Sequence, residues 1–492
     1  MRNHLRLAFN VAGAAVLAVT LATCAPQPTT LQKVKARGTL RVLTLNGPTT
    51  YYIDPRGNPA GFDYDAAKRF ANSLGVKLKL VVADNVDQIL PRLNRGDADM
   101  AAAALAVTPA RRERARFSPT LRTVTPELVY RRGDDKPASL TDVKGYVQVV
   151  RGSGAADLLR MLAPQNDALS WGVSAGAGTE DLLYKVAHGK LAYTVANSDM
   201  VAITQRYYPD LEAAFKLGPA QPLAWAFPRH SDDSLYNQAI QFVLHIRRDG
   251  TLKRLVDRYF SYVGRLNYVG RMAFLRDAKK VLPKFKDEFK KAATQYDLDW
   301  RLLAAMAYQE SHWKPHARSP TGVKGIMMLT LNAADDVGIG NRLNPRQSIL
   351  GGAQYLRRIM NRLPISIEQP SRTWMALAAY NVGFGHLMDA RRLAKRKKEN
   401  PNLWQNVRSV LPLLAKKAWY QKTRFGYARG YEAIDYVAHI RSYYDVLVWL
   451  TTHKKPPPGT RTAQKAKAGA AAKQAGAAKA KAETADAKAP AS

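Results

Sequence analysis

Hydrophobic and polar positions alternate along Leu40-Arg41-Val42-Leu43-Thr44-Leu45, the pattern of a half-buried strand. Residues 65–74 change to a helical period that Gly75 stops, and 77–82 return to a strand. A short helix near 86–93, a turn at Asn94-Arg95-Gly96-Asp97 and an apolar strand at 98–105 follow. The alternation continues with a strand at 147–150, a helix at 179–188, a strand at 191–195 and a helix at 234–248. Strands interleaved with helices predict an α/β domain with a mostly parallel sheet. Beyond residue 262 the period is helical throughout, with candidate helices at 271–295, 300–312, 349–362, 373–381, 385–395 and 430–450. The pattern therefore predicts a multidomain chain, an α/β domain followed by an all-α domain.

Both ends depart from this picture. Arg2, His4 and Arg6 precede an apolar run at 7–22, so residues 1–23 read as a secretory signal peptide. A single anchoring helix is the alternative, although the run is short for a membrane span. Leu21-Ala22-Thr23-Cys24 resembles a bacterial lipobox, which implies lipidation of Cys24; cleavage after Ala22 is the competing outcome. Residues 24–36 read as a tether. From His453 to Ser492 the chain is rich in Lys, Ala and Pro and has no aromatic residue, too little apolar surface to fold alone. We expect a disordered basic tail at 453–492.

Composition narrows the partners. The 492 residues carry 75 Lys+Arg against 39 Asp+Glu, a net charge of +36. That excess predicts an anionic partner and leaves nucleic acid, anionic lipid and acidic cell-wall polymer open. Export argues against nucleic acid, and no nucleic-acid reading motif is present. One cysteine excludes a disulfide framework and a Cys-rich metal site. His312 and His316 are separated by a helix-breaking Pro315 and lack the HExxH pattern, so no metal and no cofactor is expected.

Within 37–262, Gly61-Phe62-Asp63-Tyr64-Asp65, Ile89-Leu90-Pro91-Arg92-Leu93-Asn94-Arg95-Gly96-Asp97, Thr108-Pro109-Ala110-Arg111 and Phe117-Ser118-Pro119 occur in order. This region resembles the bacterial extracellular solute-binding proteins, family 3. The resemblance implies a two-lobed periplasmic-binding-protein-like α/β fold with an amino-acid or small-peptide ligand in its cleft. It implies that Arg111 clamps a ligand carboxylate, a task suited to a planar guanidinium, and that backbone N–H groups around Gly152 face the same group. Asn197 stands where many members carry an Asp for the ligand's amino group, which turns the expected ligand towards a cell-wall peptide.

In the helical half, Leu303, Met306, Ala307 and Glu310 share one face of the 300–312 helix. A carboxyl on an apolar face, near the negative end of a helix dipole, has its pKa raised, as a general acid at neutral pH requires. From the residues alone, a buried Glu paired with an Arg is an equal alternative. Glu310-Ser311-His312-Trp313, Ser319-Pro320-Thr321-Gly322-Val323-Lys324-Gly325-Ile326-Met327-Met328 and Ala379-Tyr380-Asn381-Val382-Gly383 follow in order. Residues 270–450 resemble the soluble lytic transglycosylase type of catalytic domain, which has an all-α lysozyme-like fold.

That resemblance implies cleavage of peptidoglycan glycan strands between N-acetylmuramic acid and N-acetylglucosamine, with a 1,6-anhydromuramic end as product. Glu310 would serve as acid and then as base. Ser319, Tyr380 and Asn381 would orient substrate, Gly325 would let backbone approach the glycan, Met327 and Met328 would line the groove, and Tyr436 would close the site. The common form has Gln where Met328 stands. Asp335, Asp336 and Asp389 read as helix-end or surface residues, so a hydrolase's second carboxylate is not expected. The leading expectation is an enzyme regulated by its solute-binding domain, anchored by an N-terminal lipid at the periplasmic face of the outer membrane. A catalytically silent solute- and glycan-binding receptor is the alternative.

Overall fold

A computed structural model describes residues 27–54, 57–261, 267–319 and 322–452. Cys24, the signal segment and the basic tail lie outside these residues. Part of the expected tether is a helix, α1 (Thr30–Arg37). Thr29 and Gln32 form a capping box at its start, and Val34 is fully buried. Its basic residues Lys33, Lys35 and Arg37 hid the helical signal.

The first lobe opens with β1 (Thr39–Leu45), β2 (Tyr52–Ile53), β3 (Pro59–Ala60), α2 (Phe62–Ser73), β4 (Lys77–Ala83), α3 (Ile89–Asn94), β5 (Met100–Ala106), α4 (Pro109–Arg112), β6 (Ala115–Phe117) and β7 (Arg122–Val124). The second lobe comprises β8 (Pro126–Arg131), β9 (Val147–Val150), α5 (Gly154–Leu162), β10 (Trp171–Ser174), α6 (Thr179–Ala187), β11 (Tyr193–Asn197), α7 (Ser198–Thr204) and β12 (Leu211–Lys216). The chain returns to the first lobe through β13 (Gln221–Pro228), α8 (Asp233–Arg248) and α9 (Thr251–Phe260). The first sheet runs β4-β1-β5-β13-β6, with β7 also on β13; the second runs β10-β9-β11-β8-β12. In the first, β1 is parallel to β4 and β5, with Val42 opposite Leu80 and Met100, while β13 is antiparallel. Two α/β lobes joined by strands that cross between them are the architecture expected from the sequence.

The helical domain holds α10 (Tyr268–Lys280), α11 (Lys286–Gln295), α12 (Trp300–Ser311), α13 (Leu331–Asp336), α14 (Pro345–Arg362), α15 (Ser371–Val382), α16 (Phe384–Arg396), α17 (Trp404–Val410), α18 (Lys417–Tyr420) and α19 (Gly430–Thr452). The single helix expected over 271–295 is two, because Pro283 sits in a tight turn at Leu282–Lys284 and cannot continue the helical ladder. α14 begins earlier than expected, since Asn344 caps it and Pro345 takes the first helical position. α12 is the centre of the domain. Every residue from Leu302 to Tyr308 is buried, and helices such as α11, α14 and α19 pack around it.

α19 also meets the first domain. Arg441 donates to the Arg258 carbonyl at 2.7 Å, Asp445 pairs with Arg206, and Trp449 stacks on Tyr207 with centroids 5.1 Å apart. Arg258 belongs to the first lobe, whereas Arg206 and Tyr207 belong to the second.

Candidate active site

Asp299 caps α12 and accepts from the Arg301 amide at 2.9 Å. The helix then carries Glu310 to its last turn. His312 and Trp313 take left-handed conformations, with φ 53° and 56°, and turn the chain. The Ser311 hydroxyl donates to the Ile326 carbonyl at 2.8 Å, which ties the helix end to the 322–329 segment. Trp313 Nε1 donates back to the Ala304 carbonyl at 2.8 Å. Ser311 follows Glu310 directly in the motif, yet its tethering role was not read from the sequence.

The Tyr436 hydroxyl, from α19, donates to Glu310 Oε1 at 2.5 Å. Glu310 keeps a partial opening to solvent, but its carboxyl is desolvated by the protein around it. That burial lifts its pKa to about 7, and the hydrogen bond from Tyr436 pulls the other way. Burial and the neighbouring Glu310 hold the phenols of Tyr380 and Tyr436 well above their usual range, so both remain donors. Tyr380 donates to the Met327 carbonyl at 2.9 Å, and Tyr355 stands edge-on to its ring at 5.4 Å. Sequence reasoning also missed Tyr355; its place on α14 has no motif to mark it.

Other expected site residues fall differently. Ser319 exchanges hydrogen bonds with the Val323 backbone, its amide donating at 3.0 Å and its hydroxyl accepting at 3.3 Å. Asn381 is exposed near the end of α15, and Met328 is partly buried with φ 46°. Met327 is fully buried, with its side chain against Gly352, so it is a core residue and not a groove wall. A Cβ on Gly325 would lie 1.8 Å from the Arg342 carbonyl oxygen, at φ 86°. Packing inside the domain therefore demands that glycine, whatever approaches from outside.

The carboxylates near the motifs stay away from Glu310. Asp335 and Asp336 are exposed at the end of α13. Asp389 corrects the surface expectation: it is fully buried in α16, where it accepts from the amides of Arg424 and Phe425 and pairs with Arg392.

In the first domain the structure brings Arg111 and Gly152 together, with Arg111 held by the protein's own groups. The buried guanidinium donates to the Ala106 carbonyl at 2.9 Å and, across the cleft, to the Gly152 carbonyl at 2.6 Å. Asp157 stands 3.6 Å from its Nε, and Thr108 donates to the same carboxylate at 3.0 Å. Gly152 thus presents its carbonyl, and a Cβ there would lie 2.8 Å from Asp87 Cα of the other lobe. A buried Arg122–Asp199 pair also spans the lobes. Asn197 ends β11 at the same sheet edge as Gly152 and serves as the residue before α7. The Arg111–Gly152 and Arg122–Asp199 contacts join the two lobes.

Two family models match the chain: bacterial extracellular solute-binding proteins, family 3, over residues 40–262, and the transglycosylase SLT domain over 287–403. Membrane-bound lytic murein transglycosylase F 1 of Alkalilimnicola ehrlichii is 46% identical over 446 residues, covering 90% of this chain and 89% of that protein. Membrane-bound lytic murein transglycosylase F of Aeromonas hydrophila is 45% identical over 455 residues, covering 92% and 91%. That of Pseudomonas syringae is 45% identical over 437 residues, covering 88% of each.

Proposed function

The chain belongs to the membrane-bound lytic murein transglycosylase F family, and we propose that Glu310 is the one group that carries its bond-breaking chemistry. It is a peptidoglycan lytic transglycosylase with a family 3 solute-binding domain. Protonated Glu310 gives its proton to the glycosidic oxygen between N-acetylmuramic acid and N-acetylglucosamine, and the bond from that oxygen to muramic C1 breaks. The carboxylate so formed takes the proton of the muramic C6 hydroxyl, whose oxygen bonds to C1. The departing strand ends in a hydroxyl, the muramic residue becomes a 1,6-anhydro sugar, and Glu310 is protonated again. No water is consumed, so one carboxyl suffices where a hydrolase needs two.

The observation that carries this reading is a desolvated carboxyl with a pKa of about 7, touched by a phenol that donates to it. Tyr436 is then a positioning residue that favours the carboxylate as it forms. Tyr380 holds the Met327 carbonyl, and with it the 322–329 segment beside the acid, while Ser319 and Asn381 orient the sugar. The test is mass spectrometry of purified peptidoglycan digested by the chain and by Glu310→Gln. Anhydromuropeptides from the former alone support the assignment; reducing ends instead would mean hydrolysis and refute it.

The first domain regulates this site in the same proposal, with a cell-wall peptide as its ligand. The support is α19, which reaches Glu310 through Tyr436 and touches both lobes through Arg441, Asp445 and Trp449. Residues 262–266, between the two domains, lie outside the described residues. The relatives' name fits membrane association, while no described helix is long and apolar enough to cross a membrane. Lipidation of Cys24 and residence at the periplasmic face of the outer membrane complete the proposal. Labelling with palmitate in cells, lost in Cys24→Ser, checks the anchor.

A further inference from the structure

Asp389 raises a question the reaction does not answer. A fully buried carboxylate is costly unless its oxygens are hydrogen-bonded. Asp389 meets that demand by accepting from the Phe425 amide at 2.8 Å and the Arg424 amide at 3.2 Å, and by pairing with Arg392 at 2.5 Å. The buried charge therefore fixes the backbone of an exposed loop. What it fixes there is a half-exposed phenylalanine, Phe425, 48% accessible. The ring lies on Gly385, where a Cβ would come within 2.7 Å of it, with the His386 ring edge-on at 6.2 Å. A glycine and a buried acid thus hold an apolar ring out in solvent.

The ring packs against the start of α16, which follows the Ala379-Tyr380-Asn381-Val382-Gly383 motif directly in the chain. Gly385 is the second residue of α16, four residues after Asn381. Tyr427 and Tyr431 are 54% and 49% exposed. Tyr431 precedes Tyr436 on α19 by five residues, roughly 7–8 Å of helix. The same loop and α16 line a pocket of about 270 Å³ whose walls include Asp389, Arg392, Arg396, Lys422 and Arg424. Arg392 pairs with Asp389, and the Arg424 guanidinium lies 5.5 Å from the centroid of the Phe425 ring. Arg396 donates through one nitrogen to the Lys422 carbonyl at 3.1 Å and has further N–H groups to offer.

We propose that this loop is a second substrate site, in which Phe425 stacks on a sugar ring of the strand and the basic pocket takes a carboxylate of the attached stem peptide. The inference rests on peptidoglycan being the substrate. An aromatic face suits the C–H surface of a sugar, and an arginine fork suits a carboxylate. The site recognises strands that still carry peptides, and it acts on binding, away from the acid.

The experiment measures binding of the full chain, carrying Glu310→Gln so that strands stay intact, to peptide-bearing glycan and to glycan stripped of peptides. We expect peptide-bearing strands to bind about tenfold tighter at low salt, the ratio to fall towards one in Arg396→Ala/Arg424→Ala, and the Lys/Lys variant to keep most of it. Phe425→Ala weakens both strands. A ratio near one in the starting protein, or a full ratio in the Ala/Ala variant, overturns the proposal. So does a loss seen only on vesicles of anionic phospholipid, which would make the pocket a membrane contact. Competition by free stem peptide separates released from strand-borne peptide as the source of the carboxylate, and either result upholds the pocket. Cleavage of strands by the Glu310→Gln chain would refute the acid assignment and not this site.

Discussion

The two domains each bury an ionisable residue picked out by a motif, and they treat it in opposite ways. Arg111 sits in a cleft whose walls already answer it: Ala106 and Gly152 carbonyls accept its protons and Asp157 stands beside it. Glu310 keeps a partial opening to solvent, and among the described residues its hydrogen-bond partner is the Tyr436 hydroxyl. A buried charge with a full set of partners holds structure together. One with a single partner and a displaced pKa is poised for chemistry. A motif brings the residue type to the right helix or loop; the partner set decides what it does.

The largest effect that tests this contrast is on the acid. Glu310→Gln keeps the volume and a hydrogen-bond acceptor for Tyr436, but cannot donate a proton at need. We expect activity to fall by about 10³-fold or more, read as anhydromuropeptide released per unit time. Stability should move the other way. The folded state raises the carboxyl from 4.5 to about 7, so the unfolded chain releases this proton first as pH rises. The wild-type side chain therefore costs stability progressively between those values and fully above the upper one. Glu310→Gln should raise the melting temperature at pH 8, by about 1–3 kcal/mol of stability, and leave it nearly unchanged at pH 4. A residue that loses function and gains stability on substitution is the signature of a group held for chemistry.

Arg111→Ala should do the reverse. Removing the guanidinium strands two carbonyls and Asp157, which we expect to cost about 2–3 kcal/mol in chemical denaturation of the first domain. If Arg111 instead served mainly as a ligand clamp, the variant would melt like the parent and lose only peptide affinity. That outcome would remove the contrast from which the comparison starts.

Much of the contrast could be read in the sequence, and the unreadable part has a physical reason. The helix of Glu310 was legible because its apolar period and its neighbours in the motif lie within one short segment. The raised pKa was legible in direction, since Leu303, Met306 and Ala307 share its face. The partners of Arg111 were not, because Gly152 lies 41 residues away in a different lobe. Asp389 was misread for the same reason: the amides that make its burial tolerable come 35 and 36 residues later. Gly325 was marked correctly as a glycine, but its neighbour is the Arg342 carbonyl, which no local pattern reveals. The helical α1 was lost behind its own charges.

Between the two regions stands α19. If it links them, cutting its contacts with the first domain should separate their unfolding. Asp445→Ala with Trp449→Ala removes the ion pair with Arg206 and the stack on Tyr207. We expect one calorimetric transition in the parent to become two, with a loss of about 1–2 kcal/mol in the less stable part. A single unshifted transition would mean that the domains unfold independently already, and α19 would carry no coupling.

The smallest effect is the most specific to Glu310. Because Glu310 must be protonated when it meets the glycosidic bond, kcat/KM should be level below pH 7 and fall about tenfold per pH unit above it. Tyr436 donates to the carboxyl and so favours its ionised form. Tyr436→Phe removes that donor while keeping the ring in place. Glu310 then holds its proton more tightly, and the falling limb of the profile moves to higher pH. The plateau drops at the same time, since the carboxylate formed in the first step loses its stabilising donor. A structural role for Tyr436 would lower the whole profile without moving the limb. A limb that moved to lower pH would mean that the phenol serves the neutral acid, and that the hydrogen bond to Oε1 reverses in the working state.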